Sequence, residues 1–83
     1  MSEDLTFGEL TLEQVRYRVE GFIINHPGCE YYQILRELLL YDYQGLMYQA
    51  LEEMIKAGDV RHTGYSVSLY VGSFTWNSQP RLL

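Results

Sequence analysis

Apolar residues recur at intervals of three and four through Leu12, Val15, Val19, Phe22 and Ile23, which marks one face of an amphipathic helix. Thr11 stands three residues before Gln14, the pattern in which each side chain satisfies the other's backbone N–H at a helix start. Pro27-Gly28 then ends the helix. A second, shorter helix is predicted over Glu30 to Leu39, with Ile34, Leu35, Leu38 and Leu39 turned inward. Leu40-Tyr41-Asp42 makes the turn that follows, with Asp42 expected as the N-cap of the third helix. That helix runs from about Tyr43 to Ala57. Its inner side holds Leu46, Met47, Ala50, Leu51, Met54 and Ile55, and its outer side Gly45, Tyr48, Gln49, Glu52, Glu53 and Lys56. Gly58 supplies the left-handed stop. Val60 to Thr63 and Ser66 to Val71 read as two strands joined around Gly64, the second alternating Val67, Leu69 and Val71 with polar positions. A short strand is expected around Leu5 to Phe7. The expected core is Leu12, Val15, Val19, Phe22, Ile34, Leu35, Leu38, Leu46, Ala50, Leu51, Met54, Val60 and Leu69.

Three helices followed by a β-hairpin is an α+β arrangement in the order of a winged helix, here one domain over residues 1–83. It divides into an N-terminal arm (1–10), a core (11–71) and a C-terminal tail (72–83). The segment Met47-Tyr48-Gln49-Ala50-Leu51-Glu52-Glu53-Met54-Ile55-Lys56-Ala57-Gly58-Asp59-Val60 resembles the end of the recognition helix and the start of the wing in winged helix-turn-helix regulators. Its flavour is PadR-like: a tyrosine, then Ala-Leu, then an apolar residue and a glycine before the first wing strand. The resemblance covers about residues 11–71 as architecture and the third helix with Gly58 as motif. It implies double-stranded DNA as the ligand. The exposed start of the third helix would enter the major groove, and the hairpin would reach the backbone.

The charge pulls the other way. Six Lys and Arg against eleven Asp and Glu give a net charge of -5 and a pI near 4.8, which argues against non-specific adhesion to DNA, RNA or anionic membrane. Eight tyrosines are too many for so small a domain to bury, and a tyrosine-rich surface suits protein and nucleic-acid contacts alike. Cys29 is the single cysteine, so neither an intrachain disulfide nor a thiolate cluster is expected, and its neighbour Glu30 does not favour a reactive thiolate. There is no apolar run of membrane-spanning length. The acidic start MSEDLTFGEL is unlike a signal or transit peptide, so a cytoplasmic location is expected. No phosphate loop, nucleophile with a positioned His, or ligand-spaced His/Cys set is present, so neither an enzyme nor a bound cofactor or metal is expected.

For DNA, the candidate contacts are Tyr43, Gln44, Tyr48 and Gln49 on the third helix and Arg61 and His62 on the wing. Gln pairs bidentately with adenine, Tyr bonds phosphate or packs on a thymine methyl, and a wing cation neutralises phosphate. Glu52 and Glu53 lie on the same exposed side and oppose that role. His26 fits a helix C-terminus, where the dipole favours a cation. Arg16 and Arg18 lie about 200° apart and make no patch. A DNA regulator of this size is expected as a homodimer, with Phe74 and Trp76 in the tail as the dimer contact. The alternative is an acidic winged-helix interaction module, of the kind that viruses and mobile elements carry, whose tyrosine-rich face binds a basic protein.

Overall fold

A computed structural model describes residues 9–64 and 68–77. Its elements are α1 (Leu12–Asn25), α2 (Tyr31–Glu37), a 3-10 turn (Tyr41–Tyr43), α3 (Gln44–Lys56), β1 (Val60–Thr63) and β2 (Ser73–Trp76). Three helices followed by an antiparallel hairpin give the α+β winged-helix layout.

Local chemistry sets the helix ends. Thr11 Oγ1 accepts from Gln14 N at 3.1 Å while Gln14 Oε1 accepts from Thr11 N at 2.9 Å, closing the reciprocal cap of α1. His26 ends the helix stacked on Phe22, with ring centroids 4.1 Å apart, and its Nδ1 lies 3.0 Å from the Phe22 carbonyl. α2 and α3 close with the same motif. Leu40 N donates to Leu35 O and Leu39 N to Arg36 O; Asp59 N donates to Met54 O and Gly58 N to Ile55 O. At the left-handed position α3 has Gly58 (φ 86°), whereas α2 has Leu39 (φ 55°).

That stop corrects two expectations. α2 ends at Glu37, and Leu39 turns outward, 73% exposed, while Leu40 takes the buried place. A continuous apolar run carried the periodicity too far, because the backbone reverses inside it. Likewise Asp42 does not cap α3: it lies within the 3-10 turn, and Tyr43 precedes the first helical residue without a side-chain cap.

The largest correction is the second strand. Of the segment predicted as a strand, Ser66 to Val71, residues Ser68 to Val71 belong to no strand and precede β2; Ser66 and Val67 lie outside the described residues. The sheet partner of β1 comes from the predicted tail, in the register Val60↔Trp76, Arg61↔Thr75, His62↔Phe74 and Thr63↔Ser73. The boundary drawn at residue 72 therefore cuts through the hairpin. The expected strand at Leu5 to Phe7 also lies outside the described residues.

β2 wins over the alternating segment because its backbone is paired on both sides. Phe74 N donates to Cys29 O at 2.7 Å, and Phe74 O accepts from Gly28 N at 2.9 Å, so the α1–α2 connection adds a bridge to the sheet. Glycines permit the close approach at the loop's neck. Gly72 has φ 97°, and a Cβ there would run into the Thr63 carbonyl oxygen.

The core is Val15, Val19, Ile23, Cys29, Tyr31, Ile34, Leu35, Leu40, Met47, Ala50, Leu51, Met54, Val60, Leu69 and Phe74. Leu12, Phe22, Leu38 and Leu46, expected inside, are half-buried and packed against it. Tyr31, Leu40 and Phe74 are core residues that the periodicities missed.

Candidate recognition surface

The exposed face of α3 and the hairpin frame one surface, and the candidate residues divide sharply across it. Gln49 is exposed and its Nε2 donates to Glu53 Oε2 at 3.3 Å. Glu53 in turn receives Arg16 Nη1 of α1 at 3.2 Å. Gln44 is exposed and its Nε2 donates back to the Tyr41 carbonyl at 3.3 Å. Both amides, expected as base readers, thus take part in local hydrogen bonds, although exposed bonds of this kind are cheap to exchange. Tyr43 and Tyr48 are half-buried against the core.

On the wing, Arg61 is exposed on β1 opposite Thr75, and it forms no ion pair among the described residues. His62 points the other way. Its ring stacks on Phe74 at 4.9 Å, and Nε2 donates to the Val71 carbonyl at 2.6 Å, which requires the proton on that nitrogen. It fastens the loop to the sheet, so the His62 ring is engaged within the chain.

Phe74 must also be corrected as a dimer contact. It is fully buried in the chain's own core, and Trp76 is packed half-buried against the same core. Two aromatics in a terminal segment dock on something; here Phe74 docks intramolecularly.

What sequence reasoning missed is an assembly of four tyrosines. Tyr31 and Tyr32 open α2, Tyr48 projects from α3, and Tyr70 comes from the β1–β2 loop. Tyr31 is the hub, with ring centroids 5.2 Å from Tyr32, 4.8 Å from Tyr70 and 6.3 Å from Tyr48. Tyr70 also lies 5.5 Å from Tyr48 and 6.1 Å from Tyr32. Edge-to-face pairs of this kind are favourable beyond the area they bury. Tyr31 is inaccessible and its hydroxyl has no hydrogen-bond partner among the described residues. Burial, with the Tyr70, Tyr32 and Tyr48 phenols nearby, pushes its pKa up to about 12. The only sequence sign was the excess of tyrosines, with the Tyr31-Tyr32 doublet at a helix start.

Carboxylates outnumber cations on the elements that carry this surface. Glu30, Glu37, Asp42 and Glu52 are exposed, and Arg36 lies 4.0 Å from Glu37. Lys56 and Arg61 are the exposed cations of α3 and β1. Cys29 is buried, which pushes its thiol up to about 11, so it is held in the unreactive protonated form. Among the described residues, no group of His, Cys, Asp and Glu could hold a metal, and no helix is long and apolar enough to cross a membrane. In comparisons with known proteins, no family model, no curated protein and no solved structure matches this chain.

Proposed function

We propose that this domain is an acidic winged-helix recognition module that binds a basic segment of another protein through its tyrosine-rich face. One observation carries the reading: Tyr31, Tyr32, Tyr48 and Tyr70 form a single cluster on the surface shared by α2, α3 and the β1–β2 loop. Tyrosine is enriched where protein interfaces concentrate their binding energy, because a large ring is held at little entropic cost. The electrostatics support the same choice. A duplex binder gains affinity by neutralising phosphates, with about 0.9 units of salt slope for each. Arg36, Lys56 and Arg61 would supply a slope of only about three, against the exposed Glu30, Glu37, Asp42 and Glu52.

A DNA-binding regulator is the second reading, favoured by the helix-then-hairpin layout and by the exposure of Gln49 and Arg61. Selection from a random duplex pool, with titration of random DNA at two salt concentrations, separates the two. The protein-binding reading expects no enriched motif and negligible duplex binding at physiological salt. A stoichiometric basic partner should be captured, and released by Tyr48→Ala but not by Gln49→Ala. An enriched motif whose preference relaxes in Gln49→Ala, with Arg61→Ala lowering the salt slope by about one unit, establishes the regulator instead.

A further inference from the structure

The four rings are not packed at random angles. Tyr32 and Tyr70 stand within 21° of parallel with centroids 6.1 Å apart, while Tyr31 meets them at 78° and 76°. Two near-parallel walls therefore share a perpendicular neighbour. Tyr31 is inaccessible, whereas Tyr32 is 55% and Tyr70 48% exposed. The walls reach solvent and the third ring does not.

We propose that Tyr32, Tyr70 and Tyr31 form an aromatic clamp that takes one arginine side chain of a basic protein partner. This rests on the protein-binding reading above and specifies the chemistry at its centre. A guanidinium is a flat plate with π-stacking faces and rigid N–H edges, so it suits parallel ring walls better than the compact, strongly hydrated lysine ammonium does. Rings stacked on both faces of such a plate stand roughly 7 Å apart at van der Waals contact. The Tyr32 and Tyr70 centroids are 6.1 Å apart, closer than that, so the two rings must part for the plate to enter between them.

The Tyr31 phenol oxygen is buried without a hydrogen-bond partner among the described residues, and a phenol oxygen can accept from a guanidinium N–H. Carboxylates stand beside the clamp in the chain: Glu30 precedes Tyr31, and Glu52 lies one turn beyond Tyr48 on α3, both exposed. Nucleic-acid bases also stack on tyrosines, but the platforms that bind them lie in positively charged grooves. This one does not.

Anisotropy of labelled oligoarginine and oligolysine peptides of equal length, at physiological salt and with the full chain, tests the clamp. Oligoarginine should bind the tighter. Tyr32→Ala and Tyr70→Ala should each weaken it roughly 3- to 30-fold, the range that cation–π contacts span from exposed to desolvated sites. Tyr17→Ala removes a tyrosine that is 78% exposed on α1 and makes no ring contact with the four, and should change nothing. Tyr70→Phe should keep the affinity. Tyr70→Leu serves in place of alanine if circular dichroism shows that Tyr70→Ala unfolds.

Equal losses in Tyr17→Ala and Tyr70→Ala, or no loss in the clamp variants, would overturn the proposal. So would oligolysine binding as tightly as oligoarginine. Oligothymidine binding that depends on Tyr70 would reassign the rings to nucleic acid. An enriched duplex motif ends the wider protein-binding reading, whereas clamp variants that leave oligoarginine binding intact end only the clamp.

Discussion

On its α1 side, α3 presents Glu53, which accepts Arg16 and Gln49 in exposed polar contacts of 3.2 and 3.3 Å. On its α2 side it presents Tyr48, which leans on Tyr31 and Tyr70, and Tyr31 is itself a core residue. Both flanks join one helix to its neighbours, but they differ in what holds them. The polar flank is exchangeable with water and contributes about 0–1 kcal/mol for an ion pair this exposed. The aromatic flank is continuous with the hydrophobic core, so the surface offered to a partner is ordered by folding itself. Recognition chemistry placed there is pre-organised, and less entropy remains to be lost on binding.

The difference can be broken most forcefully at Tyr31. Tyr31→Ala should destabilise the domain by about 3–5 kcal/mol, the usual cost of removing a buried aromatic ring. Denaturant unfolding measures it, and a loss below about 1 kcal/mol would detach the aromatic flank from the core. Tyr31→Phe separates ring from hydroxyl. Because that hydroxyl has no partner, the substitution should be neutral or stabilising, by up to about 1 kcal/mol. A loss instead would reveal a hydrogen bond.

Alkali probes the same group. An unfolded tyrosine ionises near its ordinary value of 10, whereas the folded Tyr31 phenol is raised to about 12. Above pH 10 the unfolded chain therefore loses its proton first. Stability should fall between about pH 10 and 12, and the fall should be shallower in Tyr31→Phe. Equal slopes in the two proteins would show that the phenol is not shielded.

α2 carries two of the four rings, and its left-handed stop at Leu39 is a weak point. Leu39→Gly should raise the midpoint of unfolding by an amount worth about 1 kcal/mol, since an L-residue is strained there and this side chain is exposed. Gly58→Ala at the matching stop of α3 should lose about as much. The smallest effect belongs to the polar flank. Arg16→Ala should cost less than about 1 kcal/mol and leave oligoarginine binding intact.

These contrasts also explain what could be read in advance. α1 and α3 were legible because their signals are local: Thr11 with Gln14 at one start, Gly58 at one stop, and inward positions three and four apart. Arg61 lies exposed on the first strand, where reading placed it. The second strand was not legible, because Ser66 to Val71 alternates as well as any strand while Ser73–Trp76 has the partners. Pairing with Cys29 links positions 45 residues apart in the chain, and no window of sequence contains it. The tyrosine cluster was hidden for the same reason. Its members come from α2, α3 and a loop, and only the packing of those elements brings them together.

The bond between Phe74 and the backbone at Gly28 and Cys29 has a further consequence, for the order of events as the chain is made. A ribosome releases α1, α2 and α3 well before Phe74, so early stages must proceed without the ring that closes the core and without the final rung of the sheet. A chain ending before residue 73 should hold helices but stay open to protease, and one extended through Ser73–Trp76 should be resistant. The hairpin's late arrival would act as a latch on the whole domain.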